Sequence, residues 1–273
     1  MNMHKAWLVF KKDWLEIKRN WQVLLPIIIV PLIFSVVFPV IITVMSGAPA
    51  EEMDLQDFQS LIPNLPANIQ QFILTLTPNQ ALLYIMIVYF FAPFFLIIPI
   101  MASSVLGSDS FAGERERKTI EALLATPISD SELLMGKILV SFIPAMIITW
   151  FSFAVYTTLV DVLTFSMFNG ILILPNLDFL IMIFGVSPTL ALCSIGLTVI
   201  ISAKVKGFKE AQQISVILLL PVLGLVFAQI SGVMVLGPLV LALLIGILAL
   251  VDVGVFYVGV KMFRREEILA KPV

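Results

Sequence analysis

The chain has few charges, one histidine and one cysteine. Only 12% of its 273 residues are Asp, Glu, Lys or Arg, which is about half the charged fraction of a soluble domain. His4 and Cys193 are too few to form a zinc or haem site by themselves. A single cysteine also excludes a disulfide framework within the chain. These absences point away from a small secreted scaffold and from an ordinary soluble domain.

Several catalytic motifs are missing as well. The sequence has no G-x-x-x-x-G-K-[ST] phosphate loop, so we expect that the chain does not itself hydrolyse ATP. It has no H-E-x-x-H zinc motif and no G-x-S-x-G nucleophile elbow. It also lacks the inverted repeat that many secondary carriers show. We therefore expect no enzymatic activity, no metal and no cofactor in this chain.

Long apolar runs are abundant. The chain is 60% hydrophobic with a mean hydropathy of +1.08, and runs of about 20 apolar residues are long enough to cross a bilayer core. The runs do not alternate between apolar and polar residues, which argues against a β-barrel. We predict an all-α, polytopic membrane protein whose six transmembrane helices lie near 23–45, 80–107, 138–160, 179–203, 212–231 and 235–260.

The basic residues predict the orientation of these helices. All sixteen Lys and Arg fall in 1–22, 108–137, 204–211 and 261–273, whereas the segments 46–79 and 161–178 contain none. Lys and Arg favour the cytoplasmic side of a membrane. Both termini are therefore expected in the cytoplasm, with 261–273 as a charged tail. The first apolar run is too long for a cleavable signal peptide.

The outer segments and the last two spans leave alternatives open. We expect short helices over the bilayer surface in 46–79, as a solvated acidic cap or as a lid that receives substrate. The predicted spans five and six are joined by very few residues. Part of 222–240 can therefore either cross the membrane or re-enter it from the outside.

Residues 1–22 predict an amphipathic helix at the membrane interface. Trp7, Phe10, Trp14, Ile17 and Trp21 recur at steps of three and four, so they share one helical face. Tryptophan favours the headgroup level, and basic residues favour anionic lipid. The helix is either a membrane anchor or an elbow that also contacts a partner.

The segment 108–137 is the longest polar interruption with a dense mixture of both charges. Helix-forming residues run from 111 to 124. Glu114 with Lys118, and Arg117 with Glu121, have the spacing that allows ion pairs along a helix. We predict a cytoplasmic helix here whose apolar residues need a partner.

A turn and a second helix follow. Thr126-Pro127 ends the first helix, because a residue before proline disfavours the α conformation. Ser129 and Glu132 have the spacing of a capping box, which starts a second helix that continues into span three. The pattern predicts a cytoplasmic helical hairpin, with an ordinary charged connector as the alternative.

The stretch G-E-R-E-R-K-T-I-E-A-L-L-A-T-P-I-S-D-S-E-L-L-M-G-K resembles the signature of type-2 ABC transporter permeases. The family pattern is roughly E-R-E-x-G/K-T-x-E-x-L-L-x-T-P-x-S-x-x-E-x-x-x-G-K. Lys118 stands where many members have glycine, which is similar to the sodium-efflux-like branch, as is the F-K-E-A-Q element at 208–212. The matching residues are Glu114, Arg115, Glu116, Thr119, Glu121, Leu123, Leu124, Thr126, Pro127, Ser129, Glu132, Gly136 and Lys137.

The resemblance implies the transmembrane subunit of an ATP-binding cassette exporter, with residues 1–273 forming one permease domain. The implied partners are separate ATPase subunits, which would hold ATP and Mg, a second permease copy as homodimer or heterodimer, and membrane lipid but no nucleic acid. The implied location is the plasma membrane of a prokaryote. The hairpin 108–137 would be the coupling helix, and the residues expected to dock the ATPase are Phe111, Glu114, Arg115, Glu116, Arg117, Lys118, Thr119, Glu121, Leu124, Thr126 and Pro127.

Asp252 is the one acid that we place inside a predicted span. An intramembrane carboxylate is costly unless it is paired, protonated or wetted, and it is a candidate functional acid by default. It either binds or couples a cation, or it is a hydrogen-bonded structural acid. An ion-gradient-driven carrier would depend on it, and a membrane scaffold or sensor without transport is the third alternative.

Overall fold

The computed structural model describes residues 2–46, 67–119, 126–205, 207–231 and 236–262. Every regular element in these ranges is helical, which confirms the all-α prediction. The α-helices are Met3–Ile17, Trp21–Leu32, Phe38–Ser46, Ala67–Leu74, Pro78–Tyr84, Ile97–Ser108, Glu114–Glu116, Asp130–Thr164, Leu177–Ile181, Ser187–Ser202, Phe208–Ser215, Leu220–Ile230 and Pro238–Met262.

Six helices of the described residues are long and apolar enough to cross a membrane, as predicted. Short π-helical or 3₁₀ segments join α-helices within several of them. We name them spans one to six: Trp21–Met45, Pro78–Glu116, Asp130–Thr164, Leu177–Ser202, Phe208–Gln229 and Pro238–Gly259. Most of the predicted 46–79 segment, the middle of 222–240 and the tail beyond 262 lie outside the described residues.

Span two lies at the centre of the bundle and span six at its edge. Span two packs against spans one, three, four and five, whereas span six packs mainly on span four. The outer half of the core is aromatic: Tyr156 is fully buried, stacks on Phe91 and lies against Phe95 and Phe179. The Tyr156 hydroxyl donates to the Ile87 carbonyl at 2.9 Å, so its polar end is also satisfied.

Span two extends further past residue 107 than predicted, whereas the helix of span three begins where it was predicted to begin. The helix of span two does not end near residue 107 but continues through a π-helical segment, Asp109–Gly113, to Glu116. Span three begins at Asp130, where Ser129 and Glu132 form the predicted capping box. The first helix of the predicted hairpin is therefore the continuation of span two, as far as Glu116.

The N-terminal helix, Met3–Ile17, is shorter than predicted. Trp7 stacks on Phe10 with ring centroids 4.5 Å apart. Trp7 is exposed, as the interfacial face requires, whereas Phe10 packs against the core and Ile17 is buried in it. Trp21 is not part of that face, because it begins span one. Asn20 is the N-cap of span one, because its side chain accepts a hydrogen bond from the backbone N–H of Gln22 at 3.1 Å.

The N-terminal helix packs closely on span three. Its buried side includes Ala6 and Val9, which lie over Gly136. A Cβ atom at Gly136 would lie 2.6 Å from Val9 Cβ and 2.7 Å from the Ala6 carbonyl oxygen. Only glycine allows this separation, in the way that small residues allow close helix contacts in membranes.

We predict that Gly136→Ala lowers the free energy of unfolding by about 1–3 kcal/mol, because backbone and Cβ atoms cannot move aside cheaply. Gly246→Ala is the matched control, since a Cβ at Gly246 meets nothing within 4 Å. Thermal unfolding of both variants in detergent is the measurement. Equal melting temperatures for Gly136→Ala and the unchanged protein would contradict the close contact.

Candidate functional site

A fully buried lysine lies where the N-terminal helix, span two and span three meet. Lys137 has 0% side-chain exposure, and its ammonium lies 2.5 Å from Glu114 Oε2 and 3.4 Å from Asp13 Oδ2. It also donates to the Ser110 carbonyl at 2.5 Å and lies 5.4 Å from the centre of the Phe111 ring. Two carboxylates therefore compensate the buried cation, as a buried charge requires.

A second lysine closes the cluster on its other side. Lys12 donates to Glu114 Oε1, so Glu114 lies between two cations. Lys12 also lies 3.2 Å from Asp13 Oδ1 and 3.1 Å from Glu16 Oε1. We name Lys12, Asp13, Glu114 and Lys137 the charge cluster.

The charge cluster shifts the pKa values of its members on the N-terminal helix. Burial alone would raise the pKa of Asp13, but Lys137, Lys12 and the hydrogen bond from Ser110 outweigh it and hold that pKa below its usual value. Burial alone would lower the pKa of Lys12, but Glu114 and Asp13 outweigh it and raise that pKa above its usual value. Both groups are therefore charged at neutral pH.

Arg115 and Glu116 connect span two to the segment between spans four and five. The Arg115 guanidinium donates to the carbonyls of Ser202 and Ala203, both at 3.3 Å, at the end of span four. Glu116 Oε2 accepts from the backbone N–H of Phe208 at 2.9 Å, at the start of span five. Each charge lies at the helix end that favours its sign.

Arg117 contacts the N-terminal helix as well as span two. It lies 2.9 Å from Asp109 Oδ1 and 3.7 Å from Glu16 Oε2. Asn20 Nδ2 donates to the same Asp109 oxygen at 3.3 Å. The four consecutive residues 114–117 therefore contact four different places: the root of span three, the end of span four, the start of span five and the N-terminal helix.

The start of the N-terminal helix contacts the turn between spans two and three on the side that leads into span three. Lys5 Nζ donates to the Pro127 carbonyl at 2.7 Å, and the backbone N–H of Asn2 donates to Glu132 Oε1 at 2.7 Å. The N-terminal helix is thus bound along its length to both limbs that flank the turn.

The predicted docking residues divide by exposure. Phe111 and Glu114 are buried because span two continues past them and points both side chains inward. They cannot face a partner in this conformation, and Glu114 binds Lys12 and Lys137 rather than forming the predicted pair with Lys118. Exposed or half-exposed at the turn are Arg115, Glu116, Arg117, Lys118, Thr119, Thr126 and Pro127.

Two further predicted docking residues, Glu121 and Leu124, lie outside the described residues. Lys118 has a φ of 57°, in the left-handed region that favours glycine. This conformation ends the helix of span two and gives a physical reason why glycine suits position 118.

Asp252 lies apart from the charge cluster, in the contact between spans four and six. Its side chain lies close to the Cys193 thiol of span four. Among the residues that the structure describes, no group of three or more His, Cys, Asp or Glu side chains could hold a metal ion.

The sequence analysis missed Asp13. Val9, Asp13 and Ile17 are spaced by four residues and all three are buried, so an acid inside an apolar stripe was the available signal. The aromatic stripe on the neighbouring face of the same helix is the stronger pattern, and the prediction for this helix was based on that stripe alone.

Comparisons with known proteins come from one family model and one search. The model described as ABC-2 family transporter protein matches residues 7–247, which is most of the chain. A search of curated proteins found no match.

We predict that Lys137→Met lowers the free energy of unfolding by about 3–5 kcal/mol, because it leaves the buried carboxylates of Asp13 and Glu114 with only the half-exposed Lys12 to compensate them. Adding Asp13→Asn to Lys137→Met should recover part of that loss, since one unpaired charge is removed. The measurement is chemical unfolding in mixed micelles, with exposed Lys11→Met as control. Strictly additive losses in the double variant would contradict a shared cluster.

The lowered pKa of Asp13 predicts a pH dependence. A depressed carboxyl pKa stabilises the fold at pH values above the unfolded pKa of about 3.9, and the contribution is lost as the pH falls through the folded pKa. Asp13→Asn should therefore melt below the unchanged protein at pH 7, and the gap should narrow below about pH 4. A gap that stays constant from pH 7 to pH 3 would show that Asp13 is not held ionised by the cluster.

Proposed function

Because the chain belongs to the ABC-2 family of transporter proteins and is the membrane component of an exporter-type transporter, we propose that separate ATPase subunits drive it through the turn after span two. The membrane component of this family has no ATPase domain. ATP and Mg would then be held by the partner subunits. The docking surface that we propose consists of Glu116, Arg117, Lys118, Thr119 and Pro127, the exposed residues of the turn.

The observation that supports this proposal is the set of contacts made by residues 114–117. Directly beside the exposed turn, these four residues contact the N-terminal helix and spans three, four and five. A force on the turn would reach all of these elements together. Phe111 and Glu114 support the turn from inside, which gives these two residues a positioning role in place of the direct contact that we predicted.

The transport step that follows from this arrangement is a rigid-body motion. Closure of the ATPase subunits on ATP would move the turn, the N-terminal helix and the roots of the spans as one unit. Two permease copies, identical or homologous, would rock about their shared interface and open a path to the outside. Substrate would leave while the charge cluster stays intact.

The orientation and the extent of the domain are part of the proposal. We place both termini in the cytoplasm of a prokaryote, at its plasma membrane, because all sixteen Lys and Arg fall in the segments on one side of the six spans. We assign residues 1–273 to a single permease domain, since the family match runs from the N-terminal helix into span six.

Within the family we place the chain in the sodium-efflux-like branch, with lipid, hydrophobic peptide and drug as the alternative substrates to sodium. Lys118 and the F-K-E-A-Q element at 208–212 are similar to the sodium-efflux-like branch. Efflux of radioactive sodium from vesicles that contain the transporter and ATP tests this assignment. Sodium retention together with ATP-driven export of an apolar compound would reject the branch and leave the exporter class unchanged.

We predict that Lys118→Glu weakens binding of the ATPase subunits about tenfold, which corresponds to about 1.4 kcal/mol. The reason is that it reverses an exposed charge at the centre of the proposed surface, where like-charge contacts oppose binding. The measurement is titration of the purified permease with its ATPase, together with ATP hydrolysis stimulated by the permease. Lys118→Gly is the conservative variant, because glycine readily adopts the left-handed backbone conformation of residue 118.

Lys11→Glu is the matched control on the N-terminal helix, where Lys11 is also exposed but is not part of the proposed docking surface. It should leave ATPase binding unchanged. Equal affinity of the ATPase for Lys118→Glu and for the control would count against docking at this turn.

A further inference from the structure

Spans four and six are held together by close backbone contacts. A Cβ at Gly185 would lie 2.5 Å from Ile245 Cδ1, and a Cβ at Gly196 would lie 2.5 Å from Val255 Cγ1. Asp252 lies on span six between these two contacts. Only 6% of the apolar window of span six is buried, so this seam is its main attachment among the described residues.

The Asp252 carboxyl has little compensation for a negative charge. From span four the polar group that lies close to it is the Cys193 thiol, which is a weak donor. One carboxyl oxygen, Oδ1, is buried without any hydrogen-bond partner. A negative charge on this carboxyl would therefore have no strong donor to stabilise it.

No cation in the described residues faces this carboxyl. Cys193 is the titratable group that faces it from span four, and described span six has no Lys, Arg or His. Asp178 lies at the opposite end of span four, and the next basic residue after Cys193 is Lys204, about 16 Å further along the helix axis. Lys261 follows Asp252 by nine residues on the last helix, about 14 Å along its axis. Charged groups of either sign are thus at least two helical turns away along spans four and six.

We propose that Asp252 is an intramembrane proton-binding site. An ionised carboxylate at membrane depth without a cation is costly, and such groups take up a proton instead. The carboxyl is neutral while span six packs on span four, and it releases its proton only when the seam opens to water. Proton occupancy therefore controls how firmly span six is attached. The inference uses the seam alone and does not depend on the proposed docking of an ATPase.

Infrared spectroscopy of the protein in lipid tests the protonation state. The difference spectrum between the unchanged protein and Asp252→Asn should contain, at pH 7, the carbonyl stretch of a protonated carboxylic acid. Cys193→Ala should shift that band, because it removes the polar group that lies close to the carboxyl. Asp13→Asn is the control and should remove carboxylate bands only, because the charge cluster holds the pKa of Asp13 below its usual value. Carboxylate bands in the Asp252 difference spectrum at pH 7 would overturn the proposal.

Hydrogen exchange of the span six amides tests the link between the proton and the seam. Because opening would be coupled to the loss of one proton, the exchange rate of the unchanged protein relative to Asp252→Asn should grow by up to about tenfold per pH unit at alkaline pH. Asparagine stays neutral and keeps the seam closed, so a merely structural role predicts a constant ratio. A constant ratio would overturn the coupling.

Discussion

A lysine without exposure to solvent must have negative partners close by, and the end of the bundle that carries the N-terminal helix is arranged around that constraint. Lys137 lies at the root of span three, Glu114 at the end of span two and Asp13 on the N-terminal helix. Removing any one of the three leaves an uncompensated buried charge, which costs more than the intact cluster contributes. The cluster therefore selects one relative position for three helices, and Gly136 permits the close approach that this position needs.

The two ends of the molecule differ in how their elements are attached. Ion pairs and hydrogen bonds between side chains and backbone join spans two to five to one another beside the turn after span two. Span six has mainly one apolar seam with span four. A membrane component that receives force at one end and changes shape within the bilayer needs this contrast between a firmly bound base and a more loosely attached helix.

The spans and the capping box at Ser129 were predictable because they depend on local sequence: apolar length, or two residues three positions apart. The environment of Glu114 was not predictable, because its partners lie 102 and 23 residues away along the chain. The spacing of residues within one helix favoured Lys118 as its ion-pair partner instead. The start of span one at Trp21, separate from the N-terminal helix, depended on Asn20 as its N-cap. The exposed turn was found by its motif, whereas the burial of Phe111 required knowing that span two continues beyond the bilayer.

The most direct test of the account is the distance between the N-terminal helix and the turn in the two nucleotide states. Spin labels at exposed positions 11 and 118, in a Cys193→Ser background and with the ATPase bound, would report it by pulsed electron resonance. The account predicts that this distance is the same with and without ATP, while distances from either label to an exposed site on span six change. Separation of the N-terminal helix from the turn on ATP binding would contradict a rigid cytoplasmic unit.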